Sequence, residues 1–190
     1  MSTIRRRSNN DCSIRAWGKI IGPLVFALLG PFQASAELDY YAGTEIGYMF
    51  ITVNDETFSP LLVNAHFDVR HDSGLGAEVL FATGITDDEA AQVDLELSSH
   101  AAIYGTYSWK GREVIPTVGL GYGETELEGS LRGDSSFPGA SNYEGPSGFL
   151  RFTEHLERWP DWQASLGFYG LFDNSDIDIW SINIGVRYAF

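Results

Sequence analysis

From about residue 40 onward, the chain alternates apolar side chains with polar or small ones at every second position. Successive side chains of a strand point to opposite faces, so a period of two dictates strands with one apolar and one polar face. The last segment, Ile177–Phe190, shows it most plainly. Trp180, Ile182, Ile184, Val186, Tyr188 and Phe190 share one face, and Ser181, Asn183, Gly185, Arg187 and Ala189 share the other. The same reading applies to Leu61–Arg70, Val93–Trp109 and Trp162–Phe172. It holds less cleanly for Tyr40–Thr52, Leu75–Thr83, Val114–Tyr122 and Gly148–Leu156, where Glu154 interrupts the apolar face. No helical period competes, and the count of strands is eight.

The connections alternate in length. Asn54–Pro60, Gly84–Gln92, Gly123–Pro146 and Asp173–Asp176 follow the odd strands, whereas His71–Gly74, Lys110–Glu113 and Glu157–Asp161 are tight turns after the even ones. Long loops at one end and short turns at the other describe an eight-stranded antiparallel up-and-down transmembrane β-barrel. About ten residues rising ~3.4 Å each, tilted near 45°, cover the roughly 25 Å apolar band of such a barrel. A soluble barrel would turn the apolar face inward. Three features select the membrane-spanning arrangement: the polar face is rich in glycine and mixed charges, aromatics collect at strand ends on the apolar face, and an apolar strand closes on Phe190. The aromatics group as Tyr40, Trp109, Trp162, Tyr188 and Phe190 at the turn end, with Tyr48, Phe50, Tyr122, Phe172 and Trp180 at the loop end. These are the expected interfacial girdles.

The N-terminus reads differently. Arg5, Arg6, Arg7, Arg15 and Lys19 precede a 13-residue apolar run, Ile20–Phe32, and then Ala34-Ser35-Ala36. Positive flank, short apolar run and small-x-small site make a cleavable secretory signal peptide over residues 1–36, cut after Ala36, with Ala34 and Ala36 as the cleavage determinants. The expected mature barrel domain is then 37–190. Cleavage removes five of the 12 basic residues and one of the 26 acids, leaving 7 against 25 and a net charge of −18. A chain so acidic lacks the basic face that nucleic acid requires, which excludes that class of partner. Cys12 is the single cysteine, which excludes a disulfide framework and cysteine-based zinc sites, and its place before the apolar run excludes a lipoprotein cysteine.

The closing sequence IWSINIGVRYAF resembles the C-terminal strand signature of bacterial outer-membrane proteins, with Phe190 last and Tyr188 two before it. The segments YYAGTEIGY and PTVGLGYG are similar to the glycine-rich strands of small OmpA/OmpX-type barrels. That resemblance implies residence in the outer membrane of a Gram-negative bacterium, among its lipids and lipopolysaccharide. It also implies that the barrel assembly machinery reads Tyr188 and Phe190 as an assembly signal. No peptidoglycan-binding domain is expected after Phe190, which sets the chain apart from full-length OmpA.

For the interior, Glu45, Asp68, Arg70, Glu78 and Arg187 project inward near the turn end, and buried charges require partners. The expectation is a lumen ion-pair network in a lumen plugged by polar side chains, with a structural or surface-interaction role and a monomeric state. One alternative is a narrow ion or solute channel gated by those pairs. Another is a lipid-modifying enzyme of the lipid A deacylase or acyltransferase type, whose best constellation is Asp94, Glu96, Ser98 and His100 on one strand face. Residues two apart on a strand stand about 7 Å apart, beyond the ~3 Å that Ser-His-acid chemistry needs, so no catalytic residues are expected. His66 and His155 are expected to point inward and His71 to lie in a turn. The four histidines show no metal spacing, and no cofactor is expected. The acidic stretches Asp87-Asp88-Glu89 and Glu124, Glu126 and Glu128 read as solvated faces, with attraction of the divalent cations that bridge lipopolysaccharide as the sharper alternative. Phe137 and Tyr143 are candidate loop contacts.

Overall fold

The computed structural model describes residues 38–53, 56–90, 93–131, 134–171 and 177–190. The signal-peptide and cleavage expectations, and Phe172, lie outside these residues. The strands are β1 (Leu38–Val53), β2 (Glu56–Phe58), β3 (Leu61–His71), β4 (Leu75–Gly84), β5 (Asp88–Ala90), β6 (Val93–Ser108), β7 (Val114–Leu131), β8 (Asp134–Leu156), β9 (Trp159–Leu171) and β10 (Ile177–Ala189). The eight long strands are antiparallel sequence neighbours, and β10 pairs with β1 from Tyr41↔Ala189 to Val53↔Ile177, closing the barrel. Phe190 extends the seam, its N–H donating to the Tyr40 carbonyl at 3.0 Å. All eight expected strands are therefore present. At the first tight turn, Gly74 takes φ +89° and donates to the His71 carbonyl at 2.9 Å. L-residues other than glycine rarely adopt that conformation.

Two differences from the sequence reading concern the loop end. Gly123–Pro146, expected as a loop, continues as a β7–β8 hairpin through Gly129↔Gly139 and Leu131↔Asp134. Glu124, Glu126 and Glu128 alternate there with Thr125, Leu127 and Gly129, so the period of two persists, and Thr125 and Leu127 are buried. Likewise β2 and β5 extend into the expected loops Asn54–Pro60 and Gly84–Gln92, stapled together where Asp88 accepts from the Ser59 N–H (2.6 Å) and hydroxyl (3.1 Å).

The outer surface of the barrel is apolar. Leu120, Phe81 and Ile184 are 75%, 63% and 60% exposed, whereas Arg151 and Arg187 inside are fully buried. Aromatic side chains cluster at both ends of this surface. Trp162 meets Tyr188 with ring centroids 5.3 Å apart and Tyr188 meets Phe190 at 5.2 Å near the turns, while Phe50 stacks on Trp180 at 4.2 Å toward the loops.

The inside is layered. Charged side chains fill the turn-end half. Leu80, Ala102, Tyr104, Phe149 and Tyr169 form a middle layer. Met49, Ile51, Phe58, Leu62, Leu97, Leu127, Leu171 and Ile179 form an apolar layer at the loop end. The expectation of a lumen plugged by polar side chains is corrected accordingly: its loop-end half is plugged by apolar ones. Inward glycines admit the larger neighbours. A Cβ on Gly119 would collide with the ring of Phe149, its cross-strand partner.

Candidate functional site: the charged lumen

The turn-end half of the lumen holds three arginines and three carboxylates, all within 3% of full burial. Each lies on an inward position of its strand and is carried by the alternation: Glu45 on β1, Asp68 and Arg70 on β3, Glu78 on β4, Arg151 on β8 and Arg187 on β10. Arg151 is the hub. Its Nη1 and Nη2 donate to the two oxygens of Glu78 at 2.7 and 2.6 Å, and its Nε lies 3.3 Å from Glu45 Oε1. The planar guanidinium suits this bidentate grip. Tyr169 joins both sides: its hydroxyl accepts from Arg151 Nη2 at 2.6 Å and donates to Glu45 Oε2 at 2.7 Å. Glu45 also accepts from the Ser165 hydroxyl (2.8 Å) and the Asn64 amide (3.1 Å).

The second group centres on Asp68. Arg187 Nη2 stands 3.1 Å from Oδ1 and 2.8 Å from Oδ2, and Arg70 Nη2 stands 3.6 Å from Oδ1. Both guanidinium groups also lie against the Tyr41 ring, Arg187 at 4.0 Å and Arg70 at 4.8 Å from its centroid, where the ring quadrupole attracts a cation.

The five residues named from sequence thus all face the lumen, but in two groups, with Glu45 and Glu78 joined only through Arg151. Arg151 itself was missed. Its signal was its place beside Thr153 on the polar face of β8. Its partner Glu78 is 73 residues away, so only the register brings them together.

Of the Asp94–Glu96–Ser98–His100 constellation, Glu96 and His100 are turned to opposite faces, and the Asp94 side chain lies outside the described residues. A β-bulge between Leu97 and Ser99 shifts the register of β6 against β7, and the extra residue reverses the facing of everything after it. Leu97 is buried, Glu96 is exposed, and His100 is buried with Nδ1 2.8 Å from the Thr125 hydroxyl. His66 is buried in the lumen. His155 is exposed at the turn-end mouth, yet keeps the parity of inward Arg151 and Thr153, with Nδ1 3.2 Å from the Pro160 carbonyl and Nε2 3.1 Å from the amide of Gln163, its buried cross-strand partner. His71 lies at the end of β3, with Nδ1 2.9 Å from the Ser73 hydroxyl.

Among the described residues, no cluster of three or more His, Cys, Asp or Glu is placed to hold a metal ion. A cavity of about 20 Å³ lies where the layers meet, lined by Asn64, His100, Ser147, Asn183, Leu62 and Met49 among others. That is room for about one water molecule. On the outer face of the hairpin, Glu124 stands directly across from Glu144, and Glu96 across from Glu128.

No family model and no curated protein matches the sequence. The structure does match solved ones. Neisserial surface protein A (NspA) is 12% identical with a TM-score of 0.61, over 80% of this chain and 97% of that one. Ail, the attachment invasion locus protein of Yersinia pestis, solved in complex with the heparin analogue sucrose octasulfate, is 14% identical with a TM-score of 0.58, over 81% of this chain and 99% of that one. The N-terminal β-barrel domain of Pseudomonas aeruginosa OprF is 11% identical with a TM-score of 0.53, over 78% and 97%. Strand number, closure, alternating connections and these likenesses agree: the chain has the fold of the small eight-stranded outer-membrane barrels of the OmpA/OmpX-like type.

Proposed function

We propose that this protein is an integral outer-membrane barrel of a Gram-negative bacterium, exported by residues 1–36 and inserted as a monomer, with a structural or surface-interaction role. The observation that carries the reading is the inversion of polarity: Leu120, Phe81 and Ile184 outside, fully buried Arg151 and Arg187 inside. Water does not favour such an apolar exterior, whereas hydrocarbon does, and a closed sheet leaves no unpaired backbone edge in it. The short turns then face the periplasm and the β7–β8 hairpin faces outward, where surface contacts are made. Lipids and lipopolysaccharide surround the aromatic girdles. Tyr188 on β10 and Phe190 just past its end serve as the assembly signal read by the barrel assembly machinery. The site favours neither catalysis nor conduction: Glu96 and His100 are turned to opposite faces of β6, and apolar side chains pack the loop-end layer of the lumen.

Fractionation with and without heating before electrophoresis tests this. The expected result is outer-membrane recovery with heat-modifiable migration; soluble periplasmic recovery overturns it. Mass spectrometry of the membrane form is expected to find Glu37 as the first residue. Deleting Phe190 is expected to leave a protease-sensitive, uninserted form.

A further inference from the structure

The charged and apolar layers of the lumen meet at the small cavity lined by Asn64, Asn183 and Ser181, among others. Gly47 shapes this region. It stands on β1 between its cross-strand partners Leu62 on β3 and Asn183 on β10. The Asn183 carboxamide lies over it, where a Cβ would collide with Oδ1. Both asparagines are tied down at one end only. Asn64 Nδ2 donates to Glu45 Oε2 at 3.1 Å, and Asn183 Nδ2 donates to Ser181 Oγ at 3.1 Å. Their Oδ1 atoms accept from none of the described residues, although both side chains are buried. The Ser181 hydroxyl, whose oxygen takes the Asn183 bond, donates to none of them either. Two buried acceptors without donors are costly. What the cavity calls for is one small neutral group with two donors and a lone pair. Its volume of about 20 Å³ admits a single water molecule, and buried waters make about three hydrogen bonds. A neutral occupant also suits the charges below, where three arginines already match three carboxylates.

We propose that this cavity binds one ordered water molecule, which donates to Asn64 Oδ1 and Asn183 Oδ1 and accepts from the Ser181 hydroxyl. The water sets the direction of both carboxamides. It holds Asn64 Nδ2 toward Glu45 and so links the Arg151 group to β10 across Gly47, at the boundary where directional bonding gives way to apolar packing. The proposal rests on the lumen geometry and stands apart from the membrane assignment.

The test is a crystal structure of the barrel purified in octyl glucoside, at a resolution that shows ordered water, with a second crystal soaked in rubidium chloride. The expected result is one density peak within about 3 Å of both Oδ1 atoms, with no anomalous rubidium signal. In Asn183→Leu that peak is expected to be lost. A solution measurement on the wild type decides the matter even if the variant fails to fold. Cross-peaks between water and the Asn64 side-chain amide, with nuclear and rotating-frame Overhauser effects of opposite sign, are expected from a long-lived bound water. An empty cavity, or an Asn183 amide turned to donate directly to Asn64, overturns the proposal. A rubidium peak assigns the oxygens to a monovalent cation and overturns it as well. So does a peak that persists unchanged in Asn183→Leu, because the pair would not then be holding it. A heat-modifiable barrel with a dry cavity removes this site and leaves the proposed function intact.

Discussion

The two halves of the lumen are built on the same strands and differ in what fills them. Toward the turns, Arg151 ties β8 to β1 and β4 through Glu45 and Glu78. Toward the loops, Ile51, Leu62, Leu97 and Leu127 meet as in the core of a soluble protein. One half is held by directional, charge-assisted bonds between elements far apart in sequence. The other is held by area removed from water and by close packing, which are insensitive to the identity of partners. A barrel wall of fixed hydrogen-bonded geometry accepts both kinds of filling, so fold alone does not determine the interior.

The largest effect belongs to the charged half. Arg151→Met is expected to cost about 3–5 kcal/mol, because it leaves Glu45 and Glu78 buried without their cation. Urea unfolding in detergent measures it, and adding Glu78→Gln is expected to recover part of the loss. In the apolar half, Leu97→Ala is expected to cost about 2–4 kcal/mol through lost transfer energy and an unfilled cavity. The same unfolding assay, repeated at low and high salt, sharpens the contrast: Leu97→Ala is expected to show no salt dependence beyond that of the wild type. Between the halves, Gly119→Val is expected to cost about 1–3 kcal/mol, since its side chain meets the buried Phe149 ring. The smallest effect lies at the turns. Lys110 bridges Asp39 at 3.0 Å and Asp72 at 3.3 Å. Partial burial lowers its pKa, but the hydrogen bonds to both carboxylates outweigh that and raise it above the ordinary value. Lys110→Met is expected to cost roughly 0.2–1 kcal/mol, as exposed pairs do. Because the folded pKa is the higher, that contribution is complete below the unfolded value of about 10.4 and is lost as pH rises through the folded one. An unfolding series from pH 8 to 12 on wild type and variant checks the sign.

The same division explains what was legible in the sequence. In the charged half, polarity reports direction: Asp68, Arg70, Glu78 and Arg187 interrupt apolar neighbours, and their inward facing follows from alternation alone. In the apolar half both faces are hydrophobic. Met49 and Ile51 lie inward between outward Tyr48 and Phe50, and nothing in residue type separates them. The bulge at Leu97–Ser99 went unread for that reason. Leu95, Leu97, Ala101 and Ile103 share one parity and look like one face, yet Leu97 is buried inside while Ile103 is 40% exposed outside. Strand number and connectivity were legible because alternation and turn chemistry are local. The pairing of Arg151 with Glu45 and Glu78 was not, because it depends on register around the whole barrel.

The central claim is that apolar residues face lipid while the polar face is turned inward. Soluble and membrane barrels both reject charge at Ile184, so unfolding energies do not separate them. Site-directed fluorescence does. In a Cys12→Ser background, which removes the single native cysteine, cysteines at Ile182, Ile184 and Val186 are labelled and the protein is reconstituted with lipids bearing acyl-chain quenchers. These three are expected to be quenched, and labels at Ser181, Asn183 and Gly185 are expected to stay bright. Equal quenching of both series, or none in either, would contradict the account.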